Sequence, residues 1–211
     1  MMMHREVLNE DQIHLLPRLG AFAGASGFYL GGGTAIALYF GHRKSIDFDW
    51  FTHERVEDPM VLAQRARQSG LDVSDPRIAP GTLHALVDSV RVSFFEYPYP
   101  FINDPTDWPE YRVTLASPDD LACMKLAAIA GRGSRRDFID MYILAMEHLS
   151  ISNALELYQR KYETRDIAHV LLGLSYFDDA DREPSPVMLR DLPWDKIKAQ
   201  FKRWTKDIAR K

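Results

Sequence analysis

Apolar and polar residues alternate with a period of two across positions 45–51, where Ile46, Phe48 and Trp50 interleave with Ser45, Asp47 and Asp49. Successive side chains of a strand point to opposite faces, so this pattern predicts a strand with an apolar back and two carboxylates on its other face. Upstream, Phe28, Tyr29 and Leu30 are apolar and strand-prone, and Gly31-Gly32-Gly33 follows them. Three glycines allow a sharp turn and a close approach to a ligand. Positions 35–40 then read as a helix, with Thr34 expected to cap it and Gly41 expected to end it. A hairpin is expected further on, with arms at 83–87 and 91–97 around the turn pair Asp88-Ser89.

The remaining pattern divides near position 116. Before it, helices are expected at 10–23 and 59–69 and a short strand at 71–73. The proline-rich run 97–109 reads as an extended connector. After it the periodicity is helical. Ser117, Pro118 and Asp120 make a capped helix start, and Leu121, Met124, Ala127 and Ala128 form an apolar stripe. Gly131 to Ser134 breaks that helix, and a second begins at Arg135 with Phe138, Met141, Tyr142, Ala145 and Leu149 as its packing stripe. Further helices are expected at 152–161, 165–175 and 194–209, with a loop at 178–186. In the last helix, Ile197, Phe201, Trp204 and Ile208 recur at helical spacing, as an amphipathic packing helix requires. The expectation is an α+β protein, with a core at 1–116 and a helical region at 117–211.

Composition narrows the class. The chain has 211 residues, 46% of them hydrophobic, which is enough for a sizeable core. Its net charge of −4 argues against a broad coating of nucleic acid, which needs a surplus of Lys and Arg. Local clusters remain: His42-Arg43-Lys44 and the arginines between 132 and 136 could hold a triphosphate or an RNA end, or simply be solvated charge at helix ends. Apolar runs are too short to span a bilayer, so no membrane association is expected. The single cysteine, Cys123, lies on an oily helix face and reads as a buried thiol in a reducing cytoplasm. The histidines show no zinc-ligand spacing.

Candidate chemistry concentrates in positions 28–52. First-turn N–H groups of a helix have no partner inside the helix, so Gly32, Gly33 and Thr34 could receive a phosphate at its positive end. Asp47 and Asp49 repel one another unless a cation lies between them, and an all-oxygen pair suits Mg²⁺ or Mn²⁺. The turn is neither a Walker A loop nor a dinucleotide fingerprint. Each part alone is common: alternating aspartates often mark only the wet face of a sheet. Lys125 interrupts an oily helix, either as a snorkelling surface residue or as a phosphate-binding point charge. Asp137 and Asp140, three apart, share a helix face.

Gly32-Gly33-Thr34, the helix after it and Ser45 to Thr52 resemble the core of the AbiEii/AbiGii-type nucleotidyltransferases, toxin-like members of the polymerase-β-type superfamily. Ser117 to Leu121, Lys125, Arg132-Gly133 and Arg135 to Asp140 are similar to the family's later motifs, and Tyr176 to Ala180 through Trp194 to its C-terminal run. The resemblance implies a nucleotidyltransferase-like mixed sheet with flanking helices. It also implies a metal-dependent enzyme moving an NMP from an NTP to a nucleic acid acceptor such as tRNA, restrained by an antitoxin. Carried over, Asp47, Asp49, Lys125 and Asp137 become catalytic, with Mg²⁺ or Mn²⁺ on Asp47 and Asp49. Gly32, Gly33, Thr34 and Lys125 would bind the nucleotide, and Asp140 and Arg136 stand as secondary candidates.

One position departs from the superfamily. A third carboxylate is expected on the neighbouring strand, and Ser93 stands there. Glu96 is displaced by an odd number of residues and so faces away. Two functions therefore remain in view: an active transferase, and an inactive nucleotide-binding or interaction module of the same fold.

Overall fold

The computed structural model describes residues 3–210. Its centre is a seven-stranded mixed sheet in the order β3-β4-β5-β2-β1-β7-β6. The strands are β1 (Tyr29–Leu30), β2 (Asp47–Thr52), β3 (Val73–Ala79), β4 (Thr82–Val87), β5 (Val90–Glu96), β6 (Thr106–Trp108) and β7 (Val113–Leu115). The central strand β2 runs antiparallel to β1 and parallel to β5, in a register that sets Asp49 beside Ser93 and Trp50 beside Phe94.

Helices α1 (Glu10–Ala25), α2 (Gly32–Phe40) and α3 (Pro59–Gln68) belong to the sheet half of the chain. A capping box starts α1: Asn9 accepts from Gln12 N, and the Gln12 side chain accepts from Asn9 N. On one sheet face Phe48, Trp50, Leu83, Val92 and Phe94 are buried. Phe22 of α1 and Phe28 meet the Phe94 ring edge-on, at centroid distances of 6.1 and 5.1 Å. Burying each such side chain contributes roughly 2–3 kcal/mol, so this face anchors β2. Its opposite face carries Asp47, Asp49, Phe51, Ser93 and Phe95, all half-buried.

Beyond Leu115 the chain is helical: α4 (Pro118–Gly131), α5 (Arg135–Glu147), α6 (Ile151–Lys161), α7 (Ala168–Gly173), α8 (Asp178–Arg182) and α9 (Trp194–Ile208). Ser117, Ser134 and Ser150 cap α4, α5 and α6 through their hydroxyls. Phe138, Phe177 and Phe201 form an aromatic cluster that holds α5, α8 and α9 together. The segment after α8 returns to the sheet half: Lys44 N donates to Val187 O, and Leu189 N donates to His42 O.

Several expectations are corrected. Residues 106–108 and 113–115 are strands, and β7 pairs in parallel with β1 through Leu30 and Leu115. The strand expected at 71–73 instead runs from Val73 to Ala79. A bulge between Ser74 and Arg77 lets Pro76 sit in this edge strand. Ile46 lies outside β2 and is half exposed, so it is no part of the apolar back. The loop expected at 178–186 contains α8, and the helix expected at 165–175 is confined to α7. Met124, Ala127 and Ala128 are only partly buried, because they border a cleft described below.

Candidate active site

β1 ends at Leu30, and the glycine turn carries the chain directly into α2, with Gly31 as N-cap and no side-chain cap. Thr34 is therefore a first-turn residue and not the cap. Its buried hydroxyl pairs with Ser45 Oγ and donates to Asp47 O, which ties α2 to the start of β2. Gly32 has φ +62°, and a Cβ there would lie 2.7 Å from Asp49 Oδ2. A Cβ at Gly33 would meet the Arg43 guanidinium at 2.2 Å. Both glycines are thus required by the protein's own charged side chains, which pack against the turn.

Asp47 and Asp49 share the open face of β2 as the alternation predicts. Asp49 is pushed up to about 6, by burial first and by the neighbouring Asp47 charge second. Lys125 and Arg132 offset part of that rise without cancelling it. Among the described residues the pair gathers no third His, Cys, Asp or Glu. The donor set therefore fits a hard cation that takes most of its ligands from water and substrate, as Mg²⁺ does, and not one enclosed by the protein. Ser93 lies beside Asp49 on β5, and its hydroxyl pairs with His84 Nδ1 at 3.0 Å. Glu96 accepts from Val56 N at 3.0 Å, away from the pair.

The other acids behave in the opposite way. Lys125 Nζ lies 2.9 Å from Asp137 Oδ1 and 2.8 Å from Asp140 Oδ2, and all three side chains are buried. Asp137 also accepts from Arg132 Nε at 2.8 Å and from Ser134 Oγ at 2.8 Å. Asp140 accepts from Arg43 at 2.7 and 2.8 Å and pairs with His42 Nε2 at 2.8 Å. Burial alone would raise both carboxyls. Lys125 and Arg132 outweigh it at Asp137, and Arg43 and Lys125 at Asp140, so both stay below the usual carboxylate range. Arg43 is therefore an internal ion-pair partner and His42, whose protonation burial disfavours, a buried hydrogen-bond partner, and they are not a solvated cluster awaiting RNA. Nothing local announces this, since their partner lies 97 and 98 residues away.

Beside Asp49 opens a cleft of about 260 Å³. Gly32, Gly33, Asp49, Lys125 and Arg132 line one part of it, and Phe51, Phe95, Tyr97 and Tyr162 line the other. The Phe51 and Phe95 rings stack at 5.1 Å, and the Tyr97 and Tyr162 hydroxyls pair with each other. Sequence reading missed this aromatic wall. Its signal was present, because Phe51 and Phe95 stand two residues beyond Asp49 and Ser93 and so share their face. Arg136 lies on the other side, 3.7 Å from Asp47.

The fold is shared with solved structures. The structure is similar to MenT4, a nucleotidyltransferase toxin from Mycobacterium tuberculosis H37Rv, with TM-score 0.55 and 13% identity over 93% of this chain and 82% of that one. It is also similar to JHP933 from Helicobacter pylori, with TM-score 0.52 and 15% identity over 96% of this chain and 95% of the other. At such identities the likeness speaks for the fold. In sequence, the chain is 34% identical to the uncharacterized protein aq_aa25 of Aquifex aeolicus (strain VF5), over 95% of this chain and 97% of that protein. The family model described as nucleotidyl transferase AbiEii toxin, type IV toxin–antitoxin system, matches residues 14–210, and the chain belongs to that family.

Proposed function

We propose that this protein is a divalent-metal-dependent nucleotidyltransferase that moves an NMP from an NTP to a nucleic acid acceptor, with tRNA as the acceptor. The observation that carries the reading is the arrangement around the cleft. Asp49 lines it, with Asp47 two residues away on the same strand face, and Lys125, Arg132 and an aromatic wall line it as well.

Asp47 and Asp49 would hold Mg²⁺ or Mn²⁺, which supplies charge neutralisation at the phosphates and orients them. Lys125 and Arg132 are aimed into the cleft by Asp137, which acts here as a positioning residue for both. These cations and the first N–H groups of α2 meet the triphosphate. The base rests against Phe51, Phe95 and the two tyrosines. The acceptor hydroxyl oxygen bonds to the α-phosphorus as the bond from that phosphorus to the bridging oxygen breaks. Pyrophosphate departs with the electron pair, and the hydroxyl proton passes to solvent water. No carboxylate stands at Ser93 to take it, so the chain contributes mainly positioning and charge.

As a family member, the protein is also read as the toxin of a pair restrained by an antitoxin protein. The inactive-module reading rests on Ser93 alone. Incubation with each labelled NTP, Mg²⁺ and total RNA separates the two: transfer by the wild type and none by Asp49→Ala supports the enzyme. NTP binding with no transfer to any RNA supports the module.

A further inference from the structure

A second cleft, of about 420 Å³, opens beside Arg136, whose guanidinium lies 3.7 Å from Asp47. Along β2 the order is fixed by the chain. Ile46 lines this second cleft, Asp47 and Asp49 follow, and Phe51 lines the first. The carboxylate pair therefore stands between two recesses.

Their linings differ. The second cleft is lined by Arg136, by Lys44, whose ammonium also donates to Glu6 O at 2.6 Å, and by an apolar shelf of Ile46, Pro184, Pro186 and Val187. Ile46 is 50% and Val187 68% exposed. Its only acid, Glu183, is already engaged by Arg135 N at 2.9 Å. Arg43 is closed off by Asp140, whereas the nearest carboxylate to Arg136 is Asp47 at 3.7 Å, outside hydrogen-bond distance. Arg136 thus lies between Asp47, its loose ion-pair partner, and the second cleft, which it also lines.

In-line displacement puts the attacking and leaving oxygens on opposite sides of the phosphorus. With the triphosphate in the first cleft, the attacking hydroxyl must come from the far side of the carboxylates. We propose that the second cleft receives the 3′ end of the RNA acceptor, with its last phosphates against Arg136 and Lys44 and a terminal base on the Ile46–Val187 shelf. Cations beside apolar surface are the combination that holds single strands, through phosphate neutralisation and base contact. This inference rests on the nucleotidyltransferase reading but concerns a different surface.

The test is fluorescence anisotropy of a short, labelled single-stranded oligoribonucleotide over a salt series, using the full chain. NTP binding is measured separately by calorimetry. Arg136→Ala is expected to weaken oligonucleotide binding about 5-fold and to lower the slope of log affinity against log salt by about 0.7, the value for one lost phosphate contact on a single strand. Val187→Asp, at an exposed side chain, is expected to weaken it at least about 3-fold while leaving NTP binding unchanged. Oligonucleotide binding that is absent, or unaltered in both variants, overturns the acceptor cleft even if NTP binds normally. Loss in both variants supports the cleft, and in that case a wild type that fails to bind NTP removes the transferase reading alone.

Discussion

The Asp47/Asp49 pair and the Asp137/Asp140 pair lie in neighbouring parts of one molecule and use the same side chain to opposite ends. Asp49 is raised to about 6 by burial and by Asp47. Asp137 and Asp140 are more deeply buried, yet Lys125, Arg43 and Arg132 hold them ionised. The first pair is compensated only loosely, by Arg136 at 3.7 Å from Asp47 and by Lys125 and Arg132 acting on Asp49, and the second is closed by direct contacts within the fold. A carboxylate's job here is decided by the cations around it and not by its identity or burial. The closed network joins α2's C-terminal segment, α4 and α5 into one rigid support, and the open pair sits on the strand that this support faces.

The largest effect expected from breaking this contrast is on stability. Asp140→Ala leaves Arg43 and Lys125 buried with one carboxylate fewer, and removing one partner of a buried ionic cluster costs about 3–5 kcal/mol. Urea unfolding should show that loss, and a variant as stable as the wild type would mean the network is not closed as described. Asp49→Asn should do the reverse. Its transfer activity should fall by at least about 100-fold, the scale for losing one electrostatic contributor to the transition state. Its unfolding midpoint should hold or rise, because a repulsion has been removed.

The pH dependence separates the pairs by sign. An acid raised from 3.8 to about 6 in the folded state binds a proton that the unfolded chain releases. Stability therefore falls as pH rises from about 4 to about 6, by up to about 3 kcal/mol, and then levels. Asp137 is depressed, so its contribution is full above the ordinary carboxylate range and is lost only as pH drops below it. Urea midpoints of wild type and Asp49→Asn should diverge between pH 4 and 6, and Mg²⁺ at pH 7 should narrow the gap. Parallel curves would show that Asp49 is not raised. The smallest effect is expected from Ser93→Asp, which adds a third like charge beside Asp49. The metal-free protein should lose about 1 kcal/mol and bind Mg²⁺ more tightly, read by thermal shift against Mg²⁺ concentration.

The elements legible in the sequence were those whose signals are local. The hairpin followed from Asp88 and Ser89, which do adopt φ +46° and +68° between alternating arms. The α4 start followed from Ser117 with its hydroxyl cap, and the α5 start from the break over Gly131 to Ser134, where Ser134 proves to be the cap. β6 and β7 escaped because each is three residues long and is a strand only by virtue of a partner elsewhere in the chain. His42 and Arg43 looked like solvated charge at a helix end for the same reason: their burial depends on Asp140. Met124, Ala127 and Ala128 looked like core because periodicity reports a face, not what stands opposite it.

By itself the sequence determined which side chains share a face: the carboxylates of β2, the aromatic residues two positions beyond, and the acids one helical turn apart on α5. These follow from backbone periods of 2.0 and 3.6, which need no tertiary partner. Only the tertiary structure decided which acids have cations, because ionisation in a low-dielectric interior depends on charges within a few ångströms, and those charges arrive from distant parts of the chain. That pairing left Asp47 and Asp49 as the acids with no cation in direct hydrogen-bond contact.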